Sequence, residues 1–479
     1  MGEMSLFERS ARLGICAALG LILWFWPVPA GVEPDGWRVL AVFAATILGL
    51  LLRPFAMSTV VLFGLLVLVV TQTIGEDSRS SLEAALVGFS NTTVWLVVAA
   101  FLIAGSVIRT GLGRRIALTL VNRLGQNERG LAYGIGFAEL LLAPVIPSNT
   151  ARGGGIVAPV VDAVSKSVGE GRDSDEARAV GRYLVFAGAH FNLITAAMFL
   201  TAMAANPLVA EAAGDVAGID FTWGTWALGA IVPGLVAIAL LPVFLHLVIK
   251  PPRIDGAAAR TTAQEQLTAM GPRKREETIL ISVLIGLVAL WATGPLHGLH
   301  VTVVALLGIA VLLATGAERW RDLAATWGAW DALIWLGGLL TMANLLRDTG
   351  VISWFASAAA TVFDGYAGMT VAIGLALIYF YSMYGFSMLT GHISAMVGAF
   401  LVIAVAADAP PLLMVAMLAY FSNLCGCLTH YSTGPVVIYF GLGYHTVPDW
   451  FRVGFFVSLF HMVVWLGVGL PWWKFLGWW

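Results

Sequence analysis

An apolar run from Leu131 to Val168 is cut by Pro147-Ser148-Asn149-Thr150-Ala151-Arg152-Gly153-Gly154-Gly155. A helix over 131–147 is about 25 Å long at 1.5 Å per residue, slightly too short to span a bilayer. A second apolar piece follows from Ile156 to Val168. The pattern predicts two half-helices that meet at a polar tip inside a membrane. Backbone of this kind is tolerated at that depth only where protein buries it or a water-filled cavity receives it. Paired breaks in corresponding halves of a chain mark the substrate site of a secondary transporter.

The surroundings support a membrane setting. The chain is 59% hydrophobic and 11% charged, with a mean hydropathy of +0.87. The expected fold is an all-α polytopic membrane protein. It has about 11 transmembrane helices plus two re-entrant hairpins, arranged as two inverted-topology repeats after an extra first helix. The expected division is an N-terminal extra helix over 1–35 and a first repeat over 36–250 with its hairpin at 131–168. A cytoplasmic linker over 251–277 leads to a second repeat over 278–479 with its hairpin at 368–407. Cys16, Cys425 and Cys427 all sit in apolar surroundings and offer no disulfide framework. Trp24, Trp26, Trp472, Trp473, Trp478 and Trp479 fall near expected span ends, as an interfacial aromatic belt requires. Pro27 and Pro29 make a poor cleavage site, so 12–30 reads as a retained span. No Ser/Arg-rich transit segment precedes it, which favours a bacterial inner membrane over a plastid envelope.

Charge orients this map. Of the 26 lysines and arginines, 21 fall on loops of one side, among them Arg9, Arg53, Arg172 and Arg182. Only Arg38, Arg79, Arg347 and Lys474 fall on the other, and Arg152 is left within the membrane. The positive-inside rule places the N-terminus inside and the C-terminus outside, with the first hairpin open to the cytoplasm and the second open outward. Landmarks recur at an offset near 240. Trp95-Leu96 answers Trp335-Leu336, Thr150 answers Thr390, and Arg152 answers His392. Asn192-Leu193 answers Asn423-Leu424 later in each half.

Ser148, Asn149 and Thr150 supply hydroxyl and amide groups beside a helix start, whose unpaired N–H groups and positive dipole end favour an anion. An ordinary N-cap is the plainer reading of the same residues. Arg152, costly inside a membrane, marks a functional site, a structural pair with Asp162 or a side chain that snorkels to the interface. Arg152 and His392, related by the repeat, suit a substrate with two carboxylates. Asn423 to Pro435 reads as a discontinuous helix, with Asn192 to Pro207 as its weaker partner. Asn192, Thr201, Asn423, Thr429, Ser432 and Thr433 then face the cavity or hydrogen-bond between helices. Cys425, Cys427 and His430 fit no closed zinc pattern, and no metal or cofactor is expected. Asn91-Thr92-Thr93 matches a glycosylation sequon, a frequent accident. There is no catalytic triad, no phosphate loop and no acidic pair in the membrane, so the chain does not read as an enzyme.

The segments PSNTARGGGIVAPVV (147–161), NLITAAMFLTAMAANPL (192–208), LTGHISA (389–395) and NLCGCLTHYSTGPVVIYFGLGY (423–444) together resemble the divalent anion/sodium symporter (DASS) family. The likeness is strongest to its 2-oxoglutarate/malate and citrate or tartrate/succinate translocators. It implies a homodimer in the lipid bilayer, with a scaffold part and a moving transport part that alternate by an elevator motion. The expected partners are small di- and tricarboxylate anions of the 2-oxoglutarate, malate, succinate and citrate class, not nucleic acid. By carry-over, Ser148, Asn149 and Thr150 bind one carboxylate, Thr390 and its neighbours the other, and Thr433 and Pro435 line the site. The chain departs from sodium-coupled members in three places. Met388-Leu389-Thr390 stands for a second Ser-Asn-Thr, Arg152 for a small neutral residue, and Gly434-Pro435-Val436 for a proline-proline-asparagine run. Fixed positive charge from Arg152 and His392 would then replace bound cations. The expectation is sodium-independent exchange of one carboxylate for another, with sodium- or proton-coupled symport as the alternative.

Overall fold

The computed structural model describes residues 5–168, 175–363 and 365–479, with side chains from 359 to 363 set aside. Arg172 therefore lies outside the described residues. All regular structure among those described is helical. Among the described residues seven helices are long and apolar enough to cross a membrane, two of them the arms Gly368–Gly385 and Leu389–Ala406 of the expected second hairpin, and the protein is an integral membrane protein. That is fewer uninterrupted spans than the expected eleven. Several expected spans are shorter or broken midway, such as Met57–Val70, Val301–Ala314 and Pro411–Leu424.

Local chemistry sets the boundaries. The first helix is Leu6–Trp24, closed by a capping box between Ser5 and Glu8 and ending before Pro27 and Pro29. It lies earlier than the expected 12–30. Asn91 of the sequon caps Thr92–Thr110, its Oδ1 accepting from the amides of Thr93 at 2.7 Å and Val94 at 3.3 Å. Gly111, at φ +77°, then turns the chain into Leu112–Leu124. That helix was not expected, and neither was Ala257–Ala269 in the linker. Both are too short and too polar to read as spans. They pack on one another, with Asn122 Nδ2 donating to Gln264 Oε1 at 2.8 Å.

The order of elements in the first half returns in the second. Pro34–Leu52, Met57–Val70, Thr92–Thr110 and Leu112–Leu124 precede the first interrupted segment. Arg275–Ala292, Val301–Ala314, Trp327–Asp348 and Val351–Phe363 precede the second, formed by Gly368–Ser382 and Leu389–Ala406. A helix broken midway follows each. In one it is Asp175–Met198 then Asn206–Ala217, in the other Pro411–Leu424 then Gly434–Gly441. Trp223–Ile249 and Val447–Gly467 come after.

Packing separates two groups of helices. Pro34–Leu52, Met57–Val70, Thr92–Thr110, Val301–Ala314 and Trp327–Asp348 pack against one another. The interrupted segments pack instead on the broken helices, which form the centre: residues 183–203 and 413–429 are buried throughout. At the boundary lies a largely apolar cavity of about 310 Å³, lined by residues of both groups, among them Leu40, Phe43, Leu208, Leu339 and Val402.

Candidate substrate site

The first interruption is built by proline and by a widened helix. Glu128–Leu142, capped by Asn127, gives way to a 3-10 turn at Ala143–Val145 and to extended backbone at Ile146. Winding resumes at Thr150, earlier than the expected Ile156. Thr150–Val157 is a π-helix that runs into Ala158–Ser167. Glycines 153–155 thus lie inside the wide turns and not before them. At Gly153 a Cβ would stand 2.6 Å from Asn192 Nδ2, so only glycine admits the broken helix this closely. Ser148 Oγ accepts from the Ala151 amide at 3.1 Å, the local cap that the plainer reading foresaw.

Three helix starts meet here. At Gly434 a Cβ would stand 2.2 Å from Thr150 Oγ1, which brings the start of Gly434–Gly441 against the first tip. Asn149 Nδ2 donates to Thr433 Oγ1 at 3.3 Å. The Leu389 amide donates to the Ser432 carbonyl at 2.9 Å, which brings in the start of Leu389–Ala406 and with it Thr390. Pro435 Cβ lies 3.2 Å from the Cβ position of Gly153. Ser148 and Thr150 are half-buried and Asn149 nearly closed off. The first amides of each helix have no intrahelical acceptor, and each start carries a partial positive charge. Hydroxyls, an amide side chain and helix starts of this kind suit a carboxylate.

Arg152 does not join them. It is fully buried, and Nε donates to Glu139 Oε2 at 2.7 Å. Nη1 donates to the carbonyls of Ile146 and Ala202, both at 2.9 Å. Nη2 reaches the Asn192 carbonyl and Thr195 Oγ1 at 3.4 Å. The expectation of a guanidinium offered to the substrate is therefore corrected. Desolvation makes an unpaired charge too costly in this interior, and Glu139 compensates it. The expected structural partner, Asp162, pairs with Lys166 and accepts from the Tyr444 hydroxyl. Glu139 is not among the residues that the sequence singles out, because one acid makes no acidic pair. Its one signal was a lone acid in GIGFAELLLAPV, in the same interrupted segment as Arg152.

His392 is also turned away. It is buried, its Nε2 lies 2.8 Å from Ser382 Oγ, and its ring packs on Tyr379 and Phe386. Much of the expected cavity lining serves as joinery. Asn192 Nδ2 donates to Glu139 Oε2 at 3.0 Å and to the Asn149 carbonyl at 3.1 Å. Thr201 Oγ1 donates to the Pro144 carbonyl and accepts from Trp223 Nε1. Asn423 Nδ2 donates to Asn206 Oδ1 at 2.8 Å, and Ser432 Oγ to the Gly426 carbonyl. Thr429 is buried, and its hydroxyl has no partner among the described residues. Bonding between segments, the alternative reading, describes Asn192, Thr201 and Asn423 as placed here, whereas the Ser432 hydroxyl bonds within its own segment, to Gly426 and Thr429.

Comparison with known proteins agrees with this architecture. Residues 8–479 match the model of the sodium:sulfate symporter transmembrane region. The chain is 43% identical to a putative malate transporter, YflS, of Bacillus subtilis, over 97% of this chain and 96% of that protein. It is 40% identical to the chloroplastic dicarboxylate transporter 1 of Arabidopsis thaliana, over 96% and 82% respectively. Among solved structures, the Neisseria gonorrhoeae MtrF efflux pump superposes with a TM-score of 0.55 at 15% identity, covering 97% of this chain and 94% of that one. That last likeness concerns the fold alone.

Proposed function

Since the chain belongs to the divalent anion/sodium symporter family, whose sodium:sulfate symporter region spans nearly its whole length, we propose that it is a secondary active transporter of di- and tricarboxylates. The substrate class is that of malate, succinate, 2-oxoglutarate and citrate. The observation that carries this reading is the meeting of three helix starts at Thr150, Leu389 and Gly434. Ser148, Asn149 and Thr150 hold one carboxylate and Thr390 the other, with Thr433 and Pro435 along the side. Names of relatives at 43% and 40% identity, a malate and a dicarboxylate transporter, support the same class.

The recurring element order supports two inverted repeats after an extra first helix, with both interrupted segments as re-entrant hairpins. The two packing groups support a stationary scaffold and a moving transport part, sliding along a boundary that includes the apolar cavity. The working form is a homodimer in a bacterial inner membrane, with its N-terminus inside and its C-terminus outside.

Transport is by exchange and independent of sodium. The Arg152 guanidinium fills the seat between the first tip and the broken helix, where the carbonyls of Ile146, Ala202 and Asn192 point. Those oxygens are taken by the guanidinium and are not open to a free cation. Because Glu139 cancels the charge, fixed positive charge is not what enforces exchange. Three helix starts direct their positive dipole ends at an empty site, and a bound anion offsets that charge. The loaded site therefore moves more easily than the empty one.

The test is uptake of labelled 2-oxoglutarate or malate into liposomes that hold purified protein. Uptake confined to vesicles preloaded with malate or succinate, and indifferent to sodium, is the expected result. Uptake into empty vesicles driven by a sodium gradient would replace exchange with symport. No uptake of any carboxylate would end the reading.

A further inference from the structure

Behind the first tip, one carboxylate oxygen is shared. Glu139 Oε2 accepts from Arg152 Nε at 2.7 Å and from Asn192 Nδ2 at 3.0 Å. Glu139 Oε1 has no hydrogen-bond donor among the described residues. The same Arg152 holds the Ile146 carbonyl, and the same Asn192 holds the Asn149 carbonyl. Glu139 and Arg152 are both fully excluded from solvent. Their charges therefore act on the tip through protein and not through water, and such interactions are screened little. Arg152 is three residues along the chain from Asn149.

We propose that Glu139 determines the charge of the anion this site accepts. By cancelling Arg152 it leaves the tip neutral, and the helix starts then match a dianion. Without its carboxylate the same tip carries one more positive charge and favours an anion with one more negative charge. Glu139 touches no substrate on this account; it is a positioning and charge-setting residue. The inference rests on the reading of residues 148–150 as a carboxylate site.

Glutamine separates charge from geometry. Both donors reach the same oxygen, so Glu139→Gln keeps an acceptor for Arg152 and Asn192, removes the charge and puts an NH2 group in the place of Oε1. The experiment compares inhibition of malate exchange by glutarate and by propane-1,2,3-tricarboxylate, which share a backbone, at about pH 8 where every carboxylate is ionised. Glu139→Gln is expected to shift the ratio of the two inhibition constants toward the tricarboxylate by about tenfold or more. The double variant Glu139→Gln/Arg152→Gln, with no uncompensated charge, returns to within about threefold of the parent. Glu139→Asp keeps the charge, so its ratio stays while its KM for malate rises.

An unchanged ratio in Glu139→Gln overturns the proposal. If that variant does not fold, a double variant whose ratio departs more than about tenfold from the parent overturns it as well. Failure of the parent protein to exchange malate at all would instead strike the transport reading.

Discussion

The Arg53 guanidinium donates from Nη2 to the main-chain carbonyl of Ser387 at 2.7 Å, and the Ser387 hydroxyl donates to the carbonyl of Leu51 at 3.3 Å. Arg53 holds a left-handed backbone, φ +51°, at the end of Pro34–Leu52. Ser387 lies just before Leu389–Ala406, at the second interruption. The pair thus joins one helix of the proposed scaffold to one tip of the proposed moving part. In an elevator cycle this contact breaks on every passage. A disulfide between Leu51→Cys and Ser387→Cys is therefore expected to stop exchange, and reductant to restore it. The native Cys16, Cys425 and Cys427 are buried and give a quiet background. Full exchange by the oxidised, cross-linked protein would show that the two parts do not move past each other here.

Gly434 has no room for a methyl group. A Cβ there would stand 2.2 Å from Thr150 Oγ1, so the tip or the helix start must shift. Overpacking of this kind costs about 1–3 kcal/mol. Gly434→Ala is expected to raise the KM for malate by about tenfold or more, read from initial rates. Gly286→Ala, on Arg275–Ala292 with open space around it, is expected to leave KM unchanged.

Arg115 and Glu277 tie Leu112–Leu124 to the start of Arg275–Ala292. Arg115 Nε and Nη2 reach the two Glu277 oxygens at 2.7 and 3.3 Å, and Nη1 donates to the Gly271 carbonyl at 3.0 Å. Glu277 is nearly closed to solvent. Glu277→Ala strands the arginine and is expected to cost about 2 kcal/mol, a drop of several degrees in thermal unfolding in detergent. Arg79→Ala breaks a pair whose side chains are 88% and 67% exposed, so its unfolding is expected to stay within about one degree of the parent.

His445 makes stability depend on pH. It lies between Gly434–Gly441 and Val447–Gly467, with Nδ1 3.1 Å from Asp449 Oδ2 and Nε2 3.1 Å from the Arg182 carbonyl. Burial, partly opposed by Asp449, holds its pKa below the ordinary value of 6.5. As pH falls below about 6.5, the unfolded chain takes up a proton that the folded protein does not. Stability from this group is full above that pH and declines on acidification until the lowered folded pKa is passed. Between about pH 7.5 and 5.5, His445→Asn is expected to lose less thermal stability than the parent. Equal losses would assign the pH dependence to other groups.

Much of this protein was legible from order along the chain. A bilayer demands long apolar helices, and it exposes any interruption of them. Asn423 to Pro435 therefore announced a break where the helix breaks in the structure, from Cys425 to Thr433, and Pro147 to Gly155 announced one that falls several residues earlier, between Leu142 and Thr150. The repeat offset matched Thr150 to Thr390, the polar tip added Asn149 and the second broken helix Thr433, and their segments now lie together. Short amphipathic helices such as Leu112–Leu124 escaped notice because hydropathy alone does not separate them from loops.

The direction of a side chain is a different kind of fact. Arg152 and His392 were placed correctly along the chain, but tertiary packing decided what each one faces. A buried guanidinium must find a counter-charge and carbonyls, and Glu139, Ile146 and Ala202 reach it only once the interrupted segment has folded against the broken helix. The sequence by itself determined where the membrane helices fail and which residues stand at those failures. Only the tertiary structure decided which of them present polar groups to the opening and which are consumed in holding it, because desolvation energies depend on neighbours in space and not along the chain.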